Sequence, residues 1–271
     1  MRKFMQHRLS VRHALASVLF FSAAASGAGS SPAGTERDAA GFSFWDDAPN
    51  VTNWGLGVGV GYKQSPYKGD DASVSPLPLI YFENKWVHVF GNKLDLNIGR
   101  WDSVSFTLRG EYALGDGYKE SDAPILDGMQ KRKGGFWIGP ALAWDTGYGV
   151  LGANFLTAGN KGLKAGVDYR RPFNYGDFTL VPHIGIDWYN SQYVDYYYGV
   201  EDDEARAGRE AYAGKSTYNL SAGVRLDYQL TPHQSLSLDA GVSRLGSGIT
   251  DSPLVDRTAI PEARLGYLYR F

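Results

Sequence analysis

The chain has 271 residues, a formal net charge of −2, 34 glycines, 14% aromatic residues and no cysteine. The missing cysteines exclude a disulfide-stapled scaffold, a thiol nucleophile and a cysteine metal site. A slightly acidic balance argues against nucleic acid as a partner, and charge at 21% with 43% hydrophobic residues fits neither a helical bundle nor a disordered chain.

The first element in chain order is a leader. Residues 1–13 carry Arg2, Lys3, Arg8 and Arg12 without an acid, an apolar run extends from Ala14 to Ala25, and small residues follow. This layout predicts a secretory signal peptide over 1–28, cleaved after Ala25 or Ala28. The apolar run is broken by Ser17 and Ser22 and is too short to span a bilayer as a helix. Cleavage removes four positive charges and lowers the net charge from −2 to −6. The mostly polar residues 29–53 are expected to form a flexible periplasmic segment, and residues 54–271 a single all-β domain.

From Trp54 onward the pattern is period-two alternation with no sustained helical period. Strands are expected near 54–63, 74–83, 86–91, 93–99, 103–113, 134–145, 149–157, 162–171, 177–190, 216–229, 234–244 and 258–271, twelve in all, with ten as the alternative if 86–99 is not a pair. In the clearest segments one register holds no charged residue. The other holds Arg109, Glu111, Lys164, Asp168, Asp187, Arg225, Asp227, Asp239, Arg264 and Arg270.

A soluble barrel would turn the uncharged register inward; a transmembrane barrel turns it outward to lipid. Three features favour the membrane. Segments of about ten residues match a tilted membrane strand. Aromatics such as Trp54, Tyr62, Tyr112, Trp144, Tyr169, Trp188, Tyr218 and Tyr228 stand at strand ends. Short and long connections nearly alternate, the exceptions being tight links near 91–93 and 158–161. The expected fold is therefore a transmembrane antiparallel β-barrel of about 12 strands. An even count places the N- and C-termini together on the periplasmic side. The last strand, with Leu265, Tyr267, Tyr269 and Phe271 in its uncharged register, must pair with the first, because an open edge in lipid leaves backbone groups unsatisfied.

Several segments resemble the MipA/OmpV family of outer-membrane proteins. These are residues 57–92, where a Pro-Tyr-x-Gly loop leads into a Pro-Leu-Pro strand, then 122–132, 191–200, 204–214 and the closing strand. The resemblance implies a Gram-negative outer-membrane location in contact with lipid and lipopolysaccharide. A final aromatic after such a strand also resembles the signal read by the barrel-assembly machinery. The family is implicated in scaffolding a lytic transglycosylase with a peptidoglycan synthase, and other members are linked to adhesion or envelope stress.

The residues themselves offer little for catalysis. Beyond residue 28 the histidines are His88, His183 and His233. His183 lies in the polar register beside Asp187, so a lumen dyad is conceivable, but no motif marks a nucleophile and no metal-ligand spacing occurs. No catalytic residue, cofactor or metal is expected. The mixed-sign lumen candidates Arg109, Glu111, Asp168, His183, Asp187, Arg225 and Asp227 could bridge across a narrow bore and occlude it. Glu201 to Glu204 read as a solvated charge run rather than a cation site, and Lys131 to Lys133 as cations for lipid phosphates. Tyr196, Tyr197 and Tyr198 offer rings to a glycan or a partner protein, the alternative being a packed loop. Gly55, Gly57, Gly59 and Gly61 leave the polar register of the first strand bare. That bareness admits an inward-folded loop or large neighbours such as Arg109 and Arg225. The expected role is scaffolding of cell-wall enzymes, with a narrow channel for small polar solutes as the alternative.

Overall fold

The computed structural model describes residues 43–44, 50–113 and 116–271. The expected signal peptide and most of segment 29–53 lie outside them. Twelve antiparallel strands form the wall: β1 (Asn53–Lys63), β2 (Ser73–Glu83), β3 (Val87–Phe90), β4 (Lys93–Trp101), β5 (Val104–Tyr112), β6 (Phe136–Asp145), β7 (Val150–Thr157), β8 (Leu163–Arg170), β9 (Phe178–Tyr189), β10 (Thr217–Thr231), β11 (Gln234–Arg244) and β12 (Ala259–Arg270). Each pairs with its neighbour in sequence, and β12 pairs with β1 from Glu262↔Lys63 to Arg270↔Gly55, which closes the barrel. The count settles the ambiguity over 86–99 in favour of twelve. Ser43–Phe44 adds a short pairing to β4.

The alternation in the sequence becomes an apolar outside. Val58 is 69% exposed, and Leu56, Val60, Ile80, Leu96, Ile138, Ile184, Ile186, Leu220, Val242 and Leu265 share the outer face. Exposed rings flank this band. Trp54, Trp101, Trp144, Tyr148, Phe178 and Phe271 lie toward the end with short links, and Tyr62, Tyr112, Phe136 and Tyr218 toward the end with long loops. Such a band between aromatic girdles is the surface of a barrel that meets lipid. The inner face carries buried charge at Lys93, Asp95, Glu111, Asp168, Arg225, Asp239 and Arg264.

The seam between first and last strands is held by more than the ladder. Phe271 N–H donates to the Trp54 carbonyl at 2.9 Å, and the two rings stack at 4.0 Å. The bare register of β1 is filled differently from the expectation. Leu77 of β2, only 3% exposed, stands over Gly59 and Gly61, while Arg109 and Arg225 are held in ion pairs elsewhere. Leu77 wins that space because it lies on the adjacent strand of the same sheet. At Gly57 the β12 backbone comes so close that a Cβ would run into the Tyr267 carbonyl oxygen. The long connections also contain short helices that the alternation did not predict: α1 (Ser191–Tyr198) and α2 (Ser247–Thr250).

Gly57→Val should therefore prevent seam closure, lowering the yield of heat-modifiable folded protein by roughly tenfold. Val58→Leu, one residue away on the outer face, should leave that yield unchanged. Equal refolding of the two variants would show that the seam tolerates a side chain at Gly57.

Candidate functional site

The lumen holds the densest chemistry. On neighbouring strands β4 and β5, Arg109 grips Asp95 with two parallel hydrogen bonds, Nε to Oδ1 and Nη2 to Oδ2, both 2.8 Å. One pleat further along, Glu111 sits between Lys93 of β4 at 3.7 Å and Lys164 of β8 at 2.9 Å. Since β5 and β8 are separated by β6 and β7, the Glu111–Lys164 pair crosses the bore instead of following the wall. The Lys164 ammonium also lies 4.9 Å from the Trp137 ring centre, a cation–π contact from β6.

Further round the wall, Asp168 pairs with Arg170 at 3.3 Å, Arg225 with Asp227 at 3.0 Å and Arg264 with Glu262 at 2.7 Å. His183 Nε2 lies 3.3 Å from Asp239 Oδ2. The imagined His183–Asp187 dyad is thus replaced. Two residues four apart on one strand are too far separated to touch. His183 instead reaches past Gly223, where a Cβ would stand 2.6 Å from its Cε1, toward β11. These pairs link buried charges of opposite sign, the arrangement a desolvated interior requires. They do not align a nucleophile with a base, and no group of three or more potential metal ligands occurs among the described residues.

The charge layer divides the bore. Above it, toward the long loops, a cavity of about 1110 Å³ reaches down to Glu111, Lys164, Asp187 and Glu262. Below, between the same residues and Arg109, His183 and Arg264, lies a second cavity of about 80 Å³. Of the lumen candidates, Arg109, Glu111, Asp168, His183, Arg225 and Asp227 all join ion pairs, while Asp187 faces both cavities. Lys93, Asp95, Lys164, Arg170, Asp239, Glu262 and Arg264 complete the layer. Of these, Lys93, Asp95, Arg170 and Glu262 lay outside the expected charged set.

Over the loop end sits a packed cap. Asn190 caps α1, its Oδ1 accepting from Tyr193 N–H and Leu163 N–H at 2.9 Å each. That orients Tyr193, Val194 and Tyr197 onto Trp137, Leu156 and Ile249. Tyr189, Tyr193 and Tyr197 form a ladder with ring separations of 4.3 and 4.8 Å. Tyr197 is buried, so it offers no ring to an outside partner, and Tyr198 is half-buried against the same cluster. Tyr196 is partly exposed with Lys161 and Arg132 over its ring.

A second cluster, with Tyr67, Tyr118, Leu126, Met129, Val200 and Leu254, ties the other loops together. The charge run is corrected at one position. Glu201, Asp202 and Asp203 are exposed, but Glu204 is 3% exposed and accepts from Gln130 N–H, Glu201 N–H and the Arg132 guanidinium. Arg132 is thereby turned from lipid phosphate to a loop carboxylate. Burial pushes the Tyr118 hydroxyl up to about 12 and the Tyr67 hydroxyl well above the usual tyrosine range.

Two outcomes follow from these contacts. Lys164→Met leaves Glu111 without its cross-bore partner and should cost about 3 kcal/mol, read as a lower urea midpoint of the refolded protein; adding Glu111→Gln should restore most of it. A double variant no better than the single would break the argument. For the cap, the tyrosines are held neutral, so their contribution is complete below the ordinary tyrosine pKa of about 10. It declines as pH rises toward 12. Thermal midpoints should accordingly fall between pH 10 and 12, and a flat profile there would speak against buried loop tyrosines.

Comparison with known proteins agrees with the wall and its location. The family model described as MltA-interacting protein MipA matches residues 56–271. The chain is 34% identical over 152 residues to outer membrane protein Omp26La of Vibrio anguillarum, covering 54% of this chain and 59% of that relative, so it spans under two thirds of that protein's length. It is 29% identical to the MltA-interacting protein of Escherichia coli K12, covering 80% of this chain and 89% of that one. Among solved structures it is similar to the COG4313 outer membrane channel from Pseudomonas putida F1, with 12% identity, 84% of this chain and 98% of that chain covered, and a TM-score of 0.42.

Proposed function

The chain belongs to the MltA-interacting protein MipA family of outer-membrane barrels, and from that premise we propose that it is a non-catalytic scaffold for cell-wall enzymes. The observation that carries this reading is the charge layer. Glu111 is bridged to Lys93 and Lys164, and a cavity of about 80 Å³ lies among the residues beneath, which in this reading leaves the bore closed to solutes. A closed barrel acts through its surfaces. The short links at 102–103, 146–149 and 232–233 stand at the end where β1 begins and β12 finishes, which in this reading faces the periplasm and the peptidoglycan. A lytic transglycosylase is the partner that the name of the Escherichia coli relative suggests, with a peptidoglycan synthase as the enzyme it would be brought to.

In this reading the C-terminal residues Leu265, Tyr267, Tyr269 and Phe271 serve the barrel-assembly machinery. The exposed Leu265, Tyr269 and Phe271, the half-buried Tyr267, and the stacking of Phe271 on Trp54 fit a strand presented for pairing. The competing role, a narrow channel for small polar solutes, draws on the large upper cavity but must pass the same layer.

The scaffold role is tested by measuring binding of a purified MltA-type lytic transglycosylase to the refolded protein. Binding is expected at micromolar or better affinity, weakened roughly tenfold by replacing the link residues Thr146 and Tyr148 together with glycine. It should be indifferent to serine at Glu201, Asp202 and Asp203. No binding by folded protein, or dependence on the loop acids instead, would overturn the scaffold reading.

A further inference from the structure

Each acid of the charge layer has a partner except one. Asp95, Glu111, Asp168, Asp227, Asp239 and Glu262 all stand within ion-pair distance of a basic side chain. Asp187 of β9 is half-buried on the same inner face, yet among the described residues its carboxylate has neither an ion pair nor a hydrogen bond. Lys164, on the adjacent strand β8, is drawn away from it, to Glu111 at 2.9 Å and to the Trp137 ring at 4.9 Å. A carboxylate taken partly out of water without a counter-charge is an incomplete arrangement, and a cation from outside would complete it.

The surroundings select the kind of cation. Asp187 stands at the floor of the upper cavity, beside Asn219 of β10, its cross-strand partner, and Ser243 of β11. Tyr189 is the next inward residue on the same strand, with one ring face stacked on Tyr193 at 4.3 Å. A carboxylate next to an aromatic ring suits an ammonium group. Leu245, Ile249 and Ile260 line the same cavity and give it an apolar wall. A divalent metal would need several anionic or imidazole ligands, and no group of three or more occurs among the described residues. Of the two lysines in the lining, Lys164 is paired and Lys63 stands on β1, separated from β9 by β10, β11 and β12. The lining also includes exposed Gly69, Asp71, Glu120 and Ser121, so the cavity is reached from the water side of the long loops.

We propose that Asp187 anchors a binding site at the floor of the upper cavity, which takes the ammonium group of a small organic amine arriving from the loop side while its apolar body lies along Leu245, Ile249 and Ile260. The site lies toward the opposite end of the barrel from the links assigned to the scaffold role and does not depend on that role. The volume of about 1110 Å³ is ample for such a ligand.

The test follows the urea midpoint of the full chain refolded in phosphatidylcholine vesicles. The probe is butylammonium chloride, with methylammonium chloride, potassium chloride and butanol at equal concentration as comparisons. A ligand held only by the folded state raises the midpoint. Butylammonium should do so saturably, with a half-saturation roughly tenfold below that of methylammonium, and potassium and butanol should give no saturable shift. Asp187→Asn keeps the shape and removes the charge. It should abolish the butylammonium shift and, with no probe present, raise the midpoint, because a charge without a partner is gone.

No shift with butylammonium would mean that the folded protein holds no ammonium. An equal shift with potassium would mean an inorganic ion or a salt effect, and an equal shift with butanol a solvent effect without charge recognition. Equal potency of methylammonium would take the apolar wall out of the site. A butylammonium shift that survives in Asp187→Asn would place binding elsewhere, and a lowered midpoint in that variant without probe would mean that Asp187 already has a partner. Each of these overturns the proposal, and the probe series on the native protein decides the matter even if the variant fails to fold.

Discussion

Everything in this molecule depends on closing the ladder between β1 and β12. In hydrocarbon no water is at hand for an unpaired N–H or C=O, so a sheet can cross only by pairing its last strand with its first. The continuous register from Lys63 to Gly55 against Glu262 to Arg270 meets that requirement. Trp54 stacked on Phe271 holds its lower end. The glycines of β1 follow from the same constraint, since the β12 backbone approaches Gly57 too closely for any side chain. Along the upper half of β2, which among the described residues is paired only with β1, two of the four outward-edge positions are Pro76 and Pro78, which have no donor to leave unsatisfied.

Closure with apolar residues outward forces polar residues inward, and twelve strands leave a bore narrow enough for those residues to meet. Charges there are stable only in partnership, which selects the fork of Arg109 on Asp95 and the bridge of Glu111 to Lys164. The tyrosine-rich cap over α1 and the Glu204 staple then tie the long loops together above the charge layer. The result is a cylinder with a cavity of about 1110 Å³ toward the loop end and short links at the other.

Much of the wall was legible in the sequence because alternation is a local signal. Arg109, Glu111, Asp168, Arg225 and Asp227 all stand in the polar register of their strands, and all are held in ion pairs. Their partners were not legible. Which strands face each other across the bore depends on shear, which no single segment encodes, so His183 was set beside Asp187 when it reaches Asp239. Leu77 was hidden because β2 is apolar in both registers, and Glu204 because it ends an acidic run whose first three members are solvated. α1 carries too little apolar periodicity over eight residues to announce a helix, yet an asparagine cap and two tyrosines on one face suffice once Trp137 is there to receive them.

The central claim is that buried ion pairs close the bore. Its most direct measurement is single-channel conductance of the refolded full chain in a planar bilayer at high salt, with folding verified by heat modifiability. The account predicts silence from the native protein and discrete openings once Glu111 and Lys164 are both replaced by alanine. Reproducible openings from the native protein would contradict it.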